Sequence, residues 1–171
     1  LLEEAFLHAN LPYKLVGAQR FYGRREVKDI IAFLRLVHNL DDELSLLRVI
    51  NLPPRGIGEK SVSVLLSLAK YRGVSPGRMI LELAKHGRTF NADNLPGRTM
   101  QSLTNFGSLL AKWYSWREKS LPLEMIDRIM DDIAYRQYID DGTDEGSDRW
   151  ENVMELRRLA SEYKEPGLAD F

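Results

Sequence analysis

Three stretches of this chain place apolar residues at helical spacing, and proline or glycine punctuates the segments between them. The core is therefore constrained to form between helices. Val27, Ile30, Ile31, Leu34 and Val37 make one stripe, Val62, Leu65, Leu66 and Ala69 a second, and Met79, Ile80, Leu83 and Ala84 a third. The first predicts a helix over Arg25 to His38, a break at Asn39 to Asp42 and a helix from Glu43 to Ile50 that ends before Pro53-Pro54. The second predicts Glu59 to Tyr71, closed by Gly73; the third opens on Ser75 as N-cap with Pro76 at the first helical position. A polar loop over His86 to Asn94 leads to a long helix from about Pro96 to Lys119 and another from Pro122 to Tyr138. An acidic loop, Asp140 to Ser147, precedes a last helix from Arg149 to Tyr163. At the other end, Leu1 to Ala9 reads as helix and Tyr13 to Val16 as a short strand, stopped by Gly17, with a loop holding Arg20, Arg24 and Arg25 after it. The expected fold class is all-α: a multi-helix bundle of seven or eight helices with one short strand at the N-terminal edge.

A length of 171 residues, 44% apolar and 29% charged, suits one globular domain. No run of eighteen apolar residues is present, so no membrane span is expected, and the start lacks the order of a secretory signal. The chain opens without Met on a helix already under way, as expected of a piece of a longer protein. With no cysteine there is neither a disulfide framework nor thiolate chemistry, which fits a reducing cytoplasm. Charge divides unevenly: residues 1–90 carry 14 Lys and Arg against 9 Asp and Glu, while residues 91–171 carry 10 against 16. A basic half can meet phosphate while an acidic half stays solvated or faces a protein.

The sharpest local signal is Ile50-Asn51-Leu52-Pro53-Pro54-Arg55-Gly56-Ile57-Gly58-Glu59-Lys60-Ser61, a helix-hairpin-helix-like element between two amphipathic helices. Two glycines one residue apart allow a tight turn and a close approach of backbone, and the helix that follows presents unpaired N–H groups. Arg55 and Lys60 add charge and Ser61 a hydroxyl, so the tip suits phosphate and reads no base identity. A plain helix–helix turn with glycine caps explains the same pattern, and both readings stay open at this level. Gly58-Glu59-Lys60-Ser61 is not a nucleotide loop, because Glu59 separates Gly from Lys and the segment before it is helical. In the Asp141 to Gly146 loop, Asn152 stands where a calcium loop needs a bidentate Glu. His8, His38 and His86 have no ligand spacing, and Asp131-Asp132 point apart on one helix. Trp113 and Trp116, three residues apart, are expected in the core rather than as a base-stacking platform. No catalytic residue, metal site or cofactor site is expected in this chain.

The order of segments carries more. Pro12-Tyr13-Lys14-Leu15-Val16-Gly17, then Arg20-Phe21-Tyr22-x-Arg24-x-Glu26-Val27-Lys28-Asp29-Ile30, then Asp41-Asp42 and Arg48-Val49-Ile50-Asn51-x-Pro53-x-Arg55-Gly56-Ile57-Gly58 resemble the UvrD/Rep/PcrA-type superfamily 1 DNA helicases. The likeness is dense to about residue 72 and resumes at Arg149-Trp150-Glu151-Asn152-Val153-x-Glu155-Leu156 and Leu168-Ala169-Asp170-Phe171, while residues 73–145 match only in helical character. The sequence departs from the family at Gly17-Ala18, usually two glycines, and at Gly23, usually acidic.

The resemblance implies that residues 1–18 are the edge of the second motor domain (2A) and residues 19–171 the helical 2B accessory subdomain. It implies duplex DNA at a single-strand/double-strand junction as partner, gripped through its backbone at Arg55, Gly56, Ile57, Gly58, Lys60 and Ser61. It also implies a swivel against the parent's motor domains, with a hinge at Gly17, Arg20, Arg24 and Arg25, and a surface for a repair or replication partner protein. ATP and Mg would belong to the parent, an ATP-driven 3′-to-5′ helicase. The rival readings are a pure protein-interaction module and a helix-hairpin-helix DNA-binding domain of another repair protein.

Overall fold

The computed structural model describes residues 16–86, 97–169 and 171. Nine α-helices and no strand are found among them: α1 Val16–Gly23, α2 Arg25–His38, α3 Glu43–Val49, α4 Glu59–Arg72, α5 Pro76–His86, α6 Gly97–Trp116, α7 Pro122–Asp132, α8 Tyr135–Ile139 and α9 Asp144–Ala160. The three apolar stripes become α2, α4 and α5 within a residue of their expected ends. Ser75 Oγ accepts from the Arg78 N–H at 3.3 Å, as an N-cap residue does, and Gly73 closes α4 at φ 68°.

Helix α2 is the centre of the bundle. Val27, Ile30, Phe33, Leu36 and Val37 are wholly buried, and α3, α6, α7 and α9 all pack on it. The Phe33 ring meets Trp113 of α6 edge to face at 5.9 Å, which puts Trp113 in the core as its spacing predicted. Trp116 is only partly buried; the Arg128 guanidinium lies over its ring at 4.1 Å. Helices α5 and α6 approach closely because Gly107 offers no side chain: a Cβ there would lie 2.6 Å from the Ile80 carbonyl oxygen.

Four expectations are corrected. The strand over Tyr13 to Val16 is not supported: Val16 opens α1, and Tyr13 to Leu15 lie outside the described residues. Gly17 and Arg20 are likewise helical rather than in a loop, since a helix accommodates a glycine for about 1 kcal/mol and Phe21 packs on the core. The helix expected over Pro122 to Tyr138 breaks at Ala134, whose φ of 51° and ψ of 45° are left-handed. That break turns Tyr135 into the interior, where its hydroxyl lies 3.3 Å from Asp29 Oδ2. The acidic loop is shorter than expected, because Thr143 Oγ1 accepts from the Gly146 N–H at 3.0 Å and starts α9 at Asp144. Asp144 and Glu145 then sit at the positive end of that helix. The Leu1 to Ala9 helix and the 87–94 loop lie outside the described residues.

A buried polar group binds the first part of the chain to the last. Asp29 pairs with Arg48 of α3 at 2.6 Å and receives the Tyr135 hydroxyl; Glu26 accepts from Asn152 of α9 at 2.7 Å. Each carboxylate is nearly solvent-free and each has partners, which is the condition for burying charge.

Candidate functional site

The connection between α3 and α4 is closed from within by residues that spacing alone did not single out. Asn51 Oδ1 accepts from the backbone N–H of Arg55 at 2.6 Å and of Ile57 at 3.2 Å. One side-chain carbonyl thus takes up two amide hydrogens that the turn would otherwise leave unpaired. The Leu52-Pro53 bond is cis. Ile57 is buried and pins the turn to the core.

Arg55 faces inward. Its Nη1 donates to the carbonyl oxygens of Val49 at 3.3 Å, Pro53 at 3.1 Å and Leu52, and its guanidinium lies over the Phe106 ring of α6 at 5.0 Å. Val49 is the last residue of α3, where a cation is favoured beside the carbonyl oxygens. Burial pushes the proton affinity of the guanidinium down, to a pKa of about 10, so it is still charged at neutral pH.

The outward side of the turn is backbone. Gly56 takes φ 75°, a left-handed conformation, whereas Gly58 has φ −84° and ψ 175° and serves as N-cap of α4. No atom lies within 4 Å of where a Cβ would stand on either glycine. Gly58 brings no side chain to cap the helix, so the first N–H groups of α4 face outward. Lys60 is exposed beside them. Ser61, half-buried, is turned to α6, its Oγ 3.4 Å from Thr99 Oγ1. The structure thus leaves Gly56, Gly58 and Lys60 exposed, turns Ser61 to α6 and ties Arg55 and Ile57 inward.

Of the residues expected at a hinge, Gly17 and Arg20 lie on α1. Arg24 is the extended residue between α1 and α2, with φ −68° and ψ 141°. Arg25 is fastened to the bundle: its Nη2 donates to the Tyr138 hydroxyl at 3.3 Å, and its carbonyl accepts from Arg48 at 3.2 Å. A groove of about 510 Å³ between α2, the end of α9 and the tail, lined by Leu34, Leu156, Leu168 and Phe171 among others, shares no residue with the 50–61 connection. No group of three or more His, Asp or Glu able to hold a metal occurs among the described residues. None of the helices described is long and apolar enough to cross a membrane.

Residues 1–169 match the family described as UvrD-like helicase C-terminal domain. Among curated proteins, the chain is 33% identical over 170 residues to DNA helicase II of Rickettsia typhi, covering 99% of this chain and 25% of that protein. It is 32% identical over 166 residues to the ATP-dependent DNA helicase PcrA of Staphylococcus aureus, covering 96% of this chain and 22% of that one. A probable DNA helicase II homolog of Rickettsia conorii is 30% identical over 164 residues, 95% of this chain and 24% of that protein. The chain spans about a quarter of the length of these relatives.

Proposed function

Since this chain belongs to the UvrD-like helicase C-terminal domain family, we propose that residues 19–171 are the 2B-type accessory subdomain of an ATP-dependent 3′-to-5′ DNA helicase and residues 1–18 the edge of its second motor domain. In this reading the subdomain holds duplex DNA ahead of the junction through phosphate contacts at the Arg55 to Ser61 hairpin and swivels as a unit against the motor domains. ATP and Mg act in the motor domains of the parent, and a repair or replication protein is a further partner there. The hinge lies at Gly17 to Arg24, since Arg25 is already tied to the bundle through Tyr138 and Arg48.

One observation supports duplex gripping above the others: the turn leaves its two glycines exposed while Arg55 and Ile57 are tied inward. Two glycines with open space around them, a helix start with no side-chain cap and the exposed Lys60 follow one another in a turn that Asn51, Arg55 and Ile57 hold in place. Such a surface can approach a sugar–phosphate backbone and carries nothing to tell one base from another. The test is a titration of the chain with a blunt duplex at two salt concentrations. Weak binding of roughly 10⁻⁴ to 10⁻⁶ M at physiological salt, weakened further by salt and by Lys60→Glu, supports the reading. No binding at either salt would instead favour a protein-interaction module.

A further inference from the structure

We propose that Arg55 serves duplex binding as a positioning residue: its guanidinium fastens the turn that presents Gly58 to Lys60, and it does not itself neutralise a phosphate. The inference rests on the reading of that turn as the duplex-binding element and assigns the labour within it. Charge and position make Arg55 the obvious phosphate ligand. The geometry points the other way. Nη1 is shared among three carbonyl oxygens from the end of α3 and the turn after it, and the face of the guanidinium is taken by Phe106 of α6. The backbone N–H of the same residue is held by Asn51 Oδ1, which also holds Ile57. Arg55 therefore joins three parts of the molecule: the last carbonyl of α3, the turn itself and the middle of α6. To reach a phosphate with Nη1 it would have to release those carbonyls, beside which the side chain lies half-buried. Residues 58–60 carry no such internal ties through their side chains: Gly58 makes no capping bond, and Lys60 is exposed.

Salt dependence separates the two roles, because the slope of log affinity against log salt counts phosphates neutralised, at about 0.9 for each on duplex DNA. The experiment compares the 171-residue chain with Arg55→Gln, Arg55→Lys, Asn51→Ala and Lys60→Gln, using a blunt duplex over a salt series, with circular dichroism to establish helix content and amide hydrogen exchange at Ile57. Arg55→Gln and Asn51→Ala are expected to weaken binding roughly 2- to 10-fold, as the loss of such hydrogen bonds would, with the slope unchanged and Ile57 exchanging faster. Arg55→Lys keeps donors for the carbonyls and should recover part of the affinity. Lys60→Gln should lower the slope by about 0.9 and leave Ile57 exchange at the parent rate. A drop of about 0.9 in the slope of Arg55→Gln would overturn the proposal, as would parental affinity together with parental exchange. If the parent chain binds no duplex at all, the functional reading fails by itself, and Ile57 exchange in Arg55→Gln still decides whether the guanidinium fastens the turn.

Discussion

Gly56 and Gly58 stand two residues apart in one turn and are needed for different reasons. Gly56 has φ 75°, where a Cβ costs about 1–2 kcal/mol, so Gly56→Ala should lower the unfolding free energy read from urea titration by that much. Gly58 has φ −84° with open space around it, so Gly58→Ala gives up no more than the roughly 0.5–1 kcal/mol lost when alanine replaces glycine at an N-cap. A duplex titration on both variants, corrected for the folded fraction, is expected to show the larger loss for Gly58→Ala if its backbone meets a phosphate; equal affinity per folded molecule would make Gly58 a structural residue only. Tyr135 gives a pH dependence. Burial first, then the negative charge of Asp29, raises the pKa of its hydroxyl above the ordinary value of about 10. A raised folded-state pKa means that the stability held by the neutral phenol is complete below about pH 10 and is lost as pH rises past it. Melting curves from pH 8 to 11 should therefore fall more steeply for the parent than for Tyr135→Phe, which starts about 1 kcal/mol lower.

At the scale of elements, pairs of helices meet where one of them has little or no side chain. A Cβ on Gly107 would enter the Ile80 backbone oxygen and the Ala84 side chain, so Gly107→Ala should separate α5 from α6 and destabilise by about 1–3 kcal/mol. Gly97, on the same helix with nothing near it, is the control, and Gly97→Ala should be neutral or slightly stabilising. Thermal melts of the two variants read the difference. Helix α9 depends on its cap: Thr143→Ala removes the acceptor for the Gly146 N–H and is expected to cost about 1 kcal/mol. Spacing made α2, α4 and α5 legible because each has a stripe facing one core, whereas α8 was read as a continuation of α7. A left-handed alanine has no sequence signature; Ala134 adopts that conformation because of where Tyr135 is buried.

Across the whole molecule, the buried carboxylates decide how the first and last helices are held together. Asp29 joins α2 to α3 and α8, and Glu26 joins α2 to α9, so the entry of the chain into the bundle is fixed to its far end. Asp29→Ala strands Arg48 and the Tyr135 hydroxyl; since Arg48 is about a third exposed, the expected loss is about 2–3 kcal/mol, below the usual range for a fully buried pair. Urea unfolding of Asp29→Ala beside Arg48→Ala checks this, and a loss under half a kcal/mol in both would mean the pair does not hold α2 to α3. The swivel proposed above would require such internal stiffness, with motion confined to the residues before Arg25.

The sequence by itself determined the helical class, most helix boundaries after residue 24 and the place of the turn at 50–61, because helix periodicity, caps and proline or glycine breaks act over a few residues and need no distant partner. It also carried the family, since the order of motifs survives without coordinates. Tertiary structure alone decided which way Arg55 faces, that Gly56 rather than Gly58 carries the left-handed backbone, that Ser61 meets Thr99 of α6, and that Asp29 and Glu26 are interior. Each of these depends on partners dozens of residues away or on the packed surroundings of the turn. A local pattern records that a charge or a glycine is present, and only packing settles whether it is turned toward solvent or toward the core.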